Sequence, residues 1–354
     1  MTREVPGETS ASKARPPSTL GRAGPRLWLV LVLLLVLAAA LSLWLGMPGV
    51  SLEVALTEVA SPDHTALMKL QLPRLLQGLA VGATLAIAGA ALQALLRNPL
   101  ADPYILGVSG GAALGSAVSA LVVSLLGVAL PMVGEPLGGF FGALLALAIV
   151  MSLGAERGRP SPLRMLLVGV VVNALAGAML MVLAALGDPG TVQRTLVRLM
   201  GTLGADPSQP LMAWVPLLAL VVALVVVLPA SRGLDLLALG DEGAQTVGLD
   251  PERLRRRLLF WLSLPVGAVV AVAGLIGFVG LVVPHAVRLV LGPANRRLLP
   301  ASAVVGAAFL VLADAFVSRL APGLGTELPV GVVTALIGGP VFLLLLRGRL
   351  GGRA

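Results

Sequence analysis

Residues 82–89, Gly-Ala-Thr-Leu-Ala-Ile-Ala-Gly, return at residues 267–274 as Gly-Ala-Val-Val-Ala-Val-Ala-Gly. Each copy sits in an apolar run of membrane-spanning length, and small residues at such spacing let helix backbones approach closely in lipid. Pro99 with Pro284 and Gly107 with Gly292 keep the same offset of 185 residues. Working outward, apolar spans fall at about 27–46, 75–96, 104–127, 131–154, 163–187, 211–229, 258–279, 281–292, 299–320 and 329–347. The eighth is short and interrupted by Pro284, His285 and Arg288. Five spans separate the two copies, so they run in opposite directions, the mark of an inverted-topology repeat. The expected fold is all-α: a polytopic membrane protein of ten transmembrane helices, with five-helix repeats at about 27–187 and 211–348.

Composition agrees. The set AVILMFWYC makes up 57% of 354 residues and charged side chains only 12%, about half the share of a soluble domain. That excludes a soluble enzyme, a coiled coil and a disordered chain. Apolar stretches without alternation exclude a β-barrel. The absence of cysteine excludes disulfides and thiolate chemistry, and His64 and His285 lie too far apart in sequence to suggest a metal site. No cofactor, metal site or catalytic residue is expected.

The net charge of +8 is explained by topology rather than by nucleic acid. With the N-terminus inside, Arg97, Arg157, Arg159, Arg164, Arg232, Arg253, Arg255, Arg256, Arg257, Arg288, Arg296, Arg297, Arg347, Arg349 and Arg353 fall in cytoplasmic segments. Outward segments hold only Lys69, Arg74, Arg194, Arg198 and Arg319. Both termini are thus expected in the cytoplasm, with polar, Pro- and Ser-rich residues 1–26 as a disordered tail and 349–354 as a short one.

A transporter needs a source of energy. Of 17 acidic residues, only Asp314 lies well within a predicted span, where it could pair with Arg319 or act as a proton relay. No G-x4-G-K-[ST] phosphate loop occurs. Energy is therefore expected from a separate subunit, with an ion-coupled secondary transporter as the alternative. The longest cytoplasmic loop, 232–257, suits a partner. Asp241 opens a short helix that ends at Gly248, and Asp250-Pro251-Glu252 starts a second, so a rigid knob is expected beneath the membrane.

At this point the residues resemble a known family. Leu72-Pro73-Arg74, Gly82-Ala83, Gln93, and Arg97-Asn98-Pro99-Leu100-Ala101-Asp102-Pro103 leading to Leu106-Gly107 are similar to FecCD-type permeases. These are membrane subunits of ABC importers for iron–siderophores, haem and cobalamin. Gly277-Phe278-Val279-Gly280-Leu281, Pro284-His285, Arg288, Ala313-Asp314 and Glu327-Leu328-Pro329-Val330-Gly331 extend the resemblance to about 27–348. It implies a homodimer or pseudodimer in the bacterial inner membrane, two ATPase subunits below, and a periplasmic or lipid-anchored substrate-binding protein above. It also implies that 239–248 is the ATPase-coupling loop, carried by Leu239, Gly240, Asp241, Glu242, Ala244 and Gly248. Arg74 and Arg319 match outward basic positions that receive the binding protein, with internal pairing as the other reading. Gln71 stands where the family often has a further arginine. Asn98, Pro99 and Leu100 are candidates for a cytoplasmic gate, or equally a tight turn. His285 is assigned to packing. The resemblance points to an iron(III)–siderophore cargo, or haem or cobalamin.

Overall fold

The computed structural model describes residues 24–46, 49–126, 134–156, 159–186, 197, 199–204, 212–324 and 328–351. Among these the chain is almost wholly helical, apart from Ala155–Glu156 paired antiparallel with Arg159–Pro160. A helix lies on each of the ten predicted spans: α1 (Pro25–Leu45), α2 (Leu72–Leu95), α3 (Val108–Leu126), α4 (Gly134–Leu153), α5 (Pro162–Leu186), α6 (Val215–Val227), α7 (Pro251–Ala273), α8 (Val279–Leu291), α9 (Asn295–Leu324) and α10 (Val330–Gly351). By length and apolarity α1, α2, α4, α5, α7 and α9 can each cross a bilayer; α6 reaches that length only when counted with the helix Ser231–Leu237, from which it is bent by 57°, and α3, α8 and α10 are shorter apolar helices. Residues 1–23 of the expected N-terminal tail lie outside the described residues. At the other end α10 continues to Gly351, into the segment assigned to the C-terminal tail.

The core is organised around α2, which packs on α6, α7, α8 and α9 and buries most of its length. Glycine makes this possible. A Cβ on Gly82 would overlap the backbone of Gly306 in α9, and one on Gly89 the backbone of Gly280 in α8. Without a hydrophobic drive between helices in lipid, such backbone contact supplies the dispersion attraction that holds them. The repeat reappears as symmetry of packing: α2 lies on α9 as α7 lies on α4, and α8 lies on α2 as α3 lies on α7. Gly267 faces Ala143 of α4 as Gly82 faces Gly306 of α9. The small-residue stripes of α3 and α4 also meet, Gly111 on Gly142 and Gly115 on Gly138.

Beyond the helices the sequence match is not structural equivalence. Pro99 lies in a turn while Pro284 lies inside α8, and Gly89 is mid-helix while Gly274 ends α7 with φ +72°. Nor is Asp250-Pro251-Glu252 the start of a separate short helix: Asp250 accepts from the N–H groups of Glu252 and Arg253, both 3.0 Å, and α7 runs unbroken to Ala273. The third span starts late because Asp102 caps a 3₁₀ turn, Pro103–Leu106, that Gly107 ends in the left-handed region at φ +82°. The eighth is short because the backbone leaves the helix at Gly274. Its freed groups find partners: Thr202 N–H donates to Ala273 O (2.9 Å), Leu275 N–H to Leu199 O (3.1 Å) and Ile276 N–H to the Tyr104 hydroxyl (3.1 Å). Irregular backbone at this depth is tolerable only with such partners.

Candidate functional site

The predicted knob is a single built element at the arginine-rich end. After α6 the chain bends into Ser231–Leu237, turns at Gly240 (φ +95°), forms the helix Asp241–Thr246, and turns again at Gly248 (φ +84°) before α7. Both glycines occupy left-handed backbone that other residues adopt only with strain. Ala244 is buried and its carbonyl accepts from Leu249 N–H at 3.0 Å, which folds the second turn back under the first. Leu239, Glu242 and Val247 point outward and are exposed.

One carboxylate fixes this knob to two spans. Asp241 accepts from both terminal nitrogens of Arg255, at 2.7 and 2.8 Å, and pairs with Arg97 beyond the end of α2. Arg255 is 4% exposed and also donates to Leu95 O at 3.4 Å. Arg97 is held at φ +49°, so the end of α2 is bent toward the same acid. The hydrogen bonds from Arg255, with the charges of Arg255 and Arg97, hold Asp241 below the usual carboxylate range. A second tie joins the knob's first helix to α9: the Oδ1 of Asp235 accepts from Asn295 N–H (2.9 Å) and Nδ2 (2.8 Å). Arg97, Arg255, Asp235 and Asn295 were missed as site residues. The signal available was charge: Asp241 and Asp235 lie in a segment dense in arginine, where an acid without an ion-pair partner is unexpected.

Asn98, Pro99 and Leu100 form a tight turn between α2 and the 3₁₀ segment. The Asn98 side-chain oxygen accepts from Leu100 N–H (2.9 Å) and its carbonyl from Ala101 N–H (3.0 Å).

At the opposite end Arg74 and Asp314 form a bidentate pair, with Nε and Nη2 each 2.8 Å from a carboxylate oxygen. Asp314 pairs neither with Arg319 nor as part of a proton chain among the described residues. Arg319 is exposed, and Glu327, the next acid along the chain, lies outside the described residues. The two predicted docking arginines are therefore unlike: Arg319 is displayed, while Arg74 is engaged within the fold with its side chain 29% exposed. Ahead of it, Leu67–Gln71 forms a π-turn, and Gln71 donates to Ser42 O at 3.1 Å, tying α2 to α1. His285 is buried within α8.

The family model that describes the FecCD transport family matches residues 29–348. The chain belongs to the FecCD transport family. It is 38% identical over 341 residues to the hemin transport system permease protein HmuU of Yersinia pestis, covering 93% of this chain and 98% of that one. It is 42% identical over 327 residues to the Fe(3+) dicitrate transport system permease protein FecD of Escherichia coli K12, covering 90% and 98%. The cobalamin import system permease protein BtuC of Halobacterium salinarum is 43% identical over 280 residues, 79% of this chain and 73% of that one. A solved structure described as an inward-facing conformation of a metal-chelate type ABC transporter superposes with a TM-score of 0.77 at 29% identity, covering 92% of this chain and all of that one. The chain is thus an all-helical, multi-pass ABC transporter permease.

Proposed function

We propose that this FecCD-family permease moves a bulky metal chelate, an iron(III)–siderophore complex, inward across the bacterial inner membrane, using ATP hydrolysed by separate subunits. Two copies form the path, two ATPases bind the knob, and a substrate-binding protein docks on the outer face. Both termini and the knob face the cytoplasm, in keeping with the arginine asymmetry. Relatives named for hemin, cobalamin and ferric dicitrate support a metal-chelate cargo.

One observation carries the coupling reading. Asp241 is bound to α7 through Arg255 and to the end of α2 through Arg97, while Leu239, Glu242 and Val247 beside it are bare. A partner gripping that tip pulls on two spans at once, and on a third through Asp235 and Asn295. Closure of the ATPases on ATP thus becomes a rocking of α2, α7 and α9 that alternates access. Arg74's engagement with Asp314 also leaves that acid poorly suited to carry protons.

The test is reconstitution in liposomes with the ATPase and binding protein. Leu239→Asp and Glu242→Arg change only exposed side chains and should abolish uptake of a labelled ferric siderophore while the complex keeps its basal ATP hydrolysis. Uptake driven by an ion gradient without any ATPase would establish the secondary-transporter alternative instead.

A further inference from the structure

Among the described residues, Arg97 and Phe278 are the two that hold a positive φ without being glycine. Arg97 has its reason in the clamp on Asp241. Phe278 stands at φ +67° where the chain re-enters helix at α8, with no side-chain cap. In a free chain this left-handed conformer of a bulky residue is disfavoured about five- to thirtyfold against the right-handed one. Gly277, immediately before it, would bear a positive φ without strain, yet the turn falls on the phenylalanine. Strain of this kind persists only where the surroundings impose it, and it gathers at elements that switch.

What imposes it is α10. A Cβ on Gly338 would overlap the Cβ and the near edge of the ring of Phe278, and one on Gly339 would stand 3.7 Å from its Cζ. The side chain therefore lies across bare backbone of α10. Seven residues earlier, a Cβ on Gly331 would overlap the carbonyl oxygen of Leu275, in the same break between α7 and α8. So α10 holds the break at two places two turns apart, and each contact is made on glycine. Within the break, the N–H groups of Leu275 and Ile276 are already bound to Leu199 and Tyr104. Gly277 has open space where a Cβ would stand, which leaves room for the backbone to swing between those pinned residues and α8. On its other side α10 is bare: Leu336, Leu343 and Leu344 are 67–69% exposed.

We propose that Phe278 is a positioning residue for transport, a latch whose seat is the Gly338–Gly339 backbone. With the side chain seated, α8 starts at Val279 and the break is held under strain. When α10 moves away, the ring lifts, Phe278 returns to the right-handed region and α8 winds back through it. Strain in the seated arrangement and lost ring contact in the other offset each other, so a partner can switch between them with modest force. Because Gly280 of α8 lies on Gly89 of α2, movement of α10 reaches the centre of the fold through this joint. The role in transport rests on the rocking of spans proposed above; the strained seat does not.

Three measurements on the full-length chain test it. Denaturant unfolding in detergent compares two variants that both lack the ring. Phe278→Gly should be the more stable, by about fivefold in the unfolding equilibrium, because glycine alone sits in this conformation without strain. Alanine equal to or better than glycine, the order at an unstrained site, would overturn the proposal whatever powers transport. In the complex reconstituted with its ATPases, Phe278→p-azidophenylalanine should photo-crosslink to the peptide that carries Gly338. The yield should differ at least about threefold between the nucleotide-free and ATP-analogue states. A yield that stays level while the wild type takes up cargo with ATP would make the contact static packing and end the latch. Finally, Gly338→Ala should lower both melting temperature and uptake, and adding Phe278→Gly removes the overlap. Melting should then recover while uptake stays lost, since the ring is gone; recovery of both would leave Phe278 no positioning role. Absence of ATP-driven uptake in the wild type would fail the function proposed above, and the glycine–alanine order would still decide the strained seat.

Discussion

Arg74→Ala should harm the permease more than Asp314→Ala, although both delete the same ion pair. The difference comes from where each partner is left. Asp314's side chain is 5% exposed, so loss of the guanidinium strands a carboxylate in apolar surroundings. Arg74's side chain is 29% exposed and can turn toward water when its acid is lost. Breaking a buried pair from one side costs about 3–5 kcal/mol, so Arg74→Ala should cost about 3 kcal/mol, with protonation of the stranded acid limiting the loss. Asp314→Ala removes two charge-assisted bonds but leaves a cation that partly rehydrates, for about 2 kcal/mol. The double variant strands nothing and should fall short of the summed losses by about 2 kcal/mol. The apolar pair Arg74→Met with Asp314→Leu should be near neutral. Denaturant unfolding in detergent, followed by helical circular dichroism, reads all four. Additive losses, or Asp314→Ala worse than Arg74→Ala, would refute the reasoning.

Other expectations follow from the same geometry. Asp241→Asn should leave the spans folded yet cut coupled transport severely, because an amide can no longer hold both Arg255 and Arg97 as a charged clamp; uptake per ATP hydrolysed reads the loss. The clamp is present in full above the unfolded carboxylate pKa of about 3.9 and is lost only as pH falls through Asp241's lowered folded value, so uptake per ATP should be level between about pH 5 and about pH 8. Gly89→Ala should destabilise by about 1–3 kcal/mol through overlap with the Gly280 backbone, while Gly177→Ala, with open space around it, should be neutral in the same unfolding assay. Arg319→Glu should weaken binding-protein association in a salt-dependent way, measured by surface plasmon resonance, and more than Arg74→Gln does, since Arg74 is already paired.

The spans were legible because apolar length and small-residue spacing are local properties of sequence. Gly82 and Gly267 could be matched, and they do occupy corresponding contacts, Gly82 on the Gly306 backbone and Gly267 on the Ala143 methyl, because close helix approach favours small residues at both. The prolines beyond them misled because Pro fits both a turn and a helix interior in a membrane, so identity at Pro99 and Pro284 does not specify conformation. The knob's glycines and caps were readable, but its anchors were not: Arg97 lies 144 residues before Asp241, and only the fold joins them. Asp314 could have been separated from Arg319 on sequence alone. Residues five apart lie on different faces of a helix, where pairs form at three or four. Naming Arg74 needed the packing of α2 on α9.

The burial of α2 also sets a timetable for synthesis. Its outer neighbours α7, α8 and α9 are encoded later, and α9 ends 229 residues after α2 does. At about 5–20 residues per second, ribosomes need roughly 11–46 s to make that stretch. Until those helices emerge α2 lies in the bilayer with Gln93 and its glycine stripe unshielded, and Arg74 has no Asp314 to meet. The helix that becomes the centre of the finished permease thus spends that wait as an orphan, and a truncated chain that stops before α9 presents quality-control proteases with a polar, unpacked segment by which to recognise it.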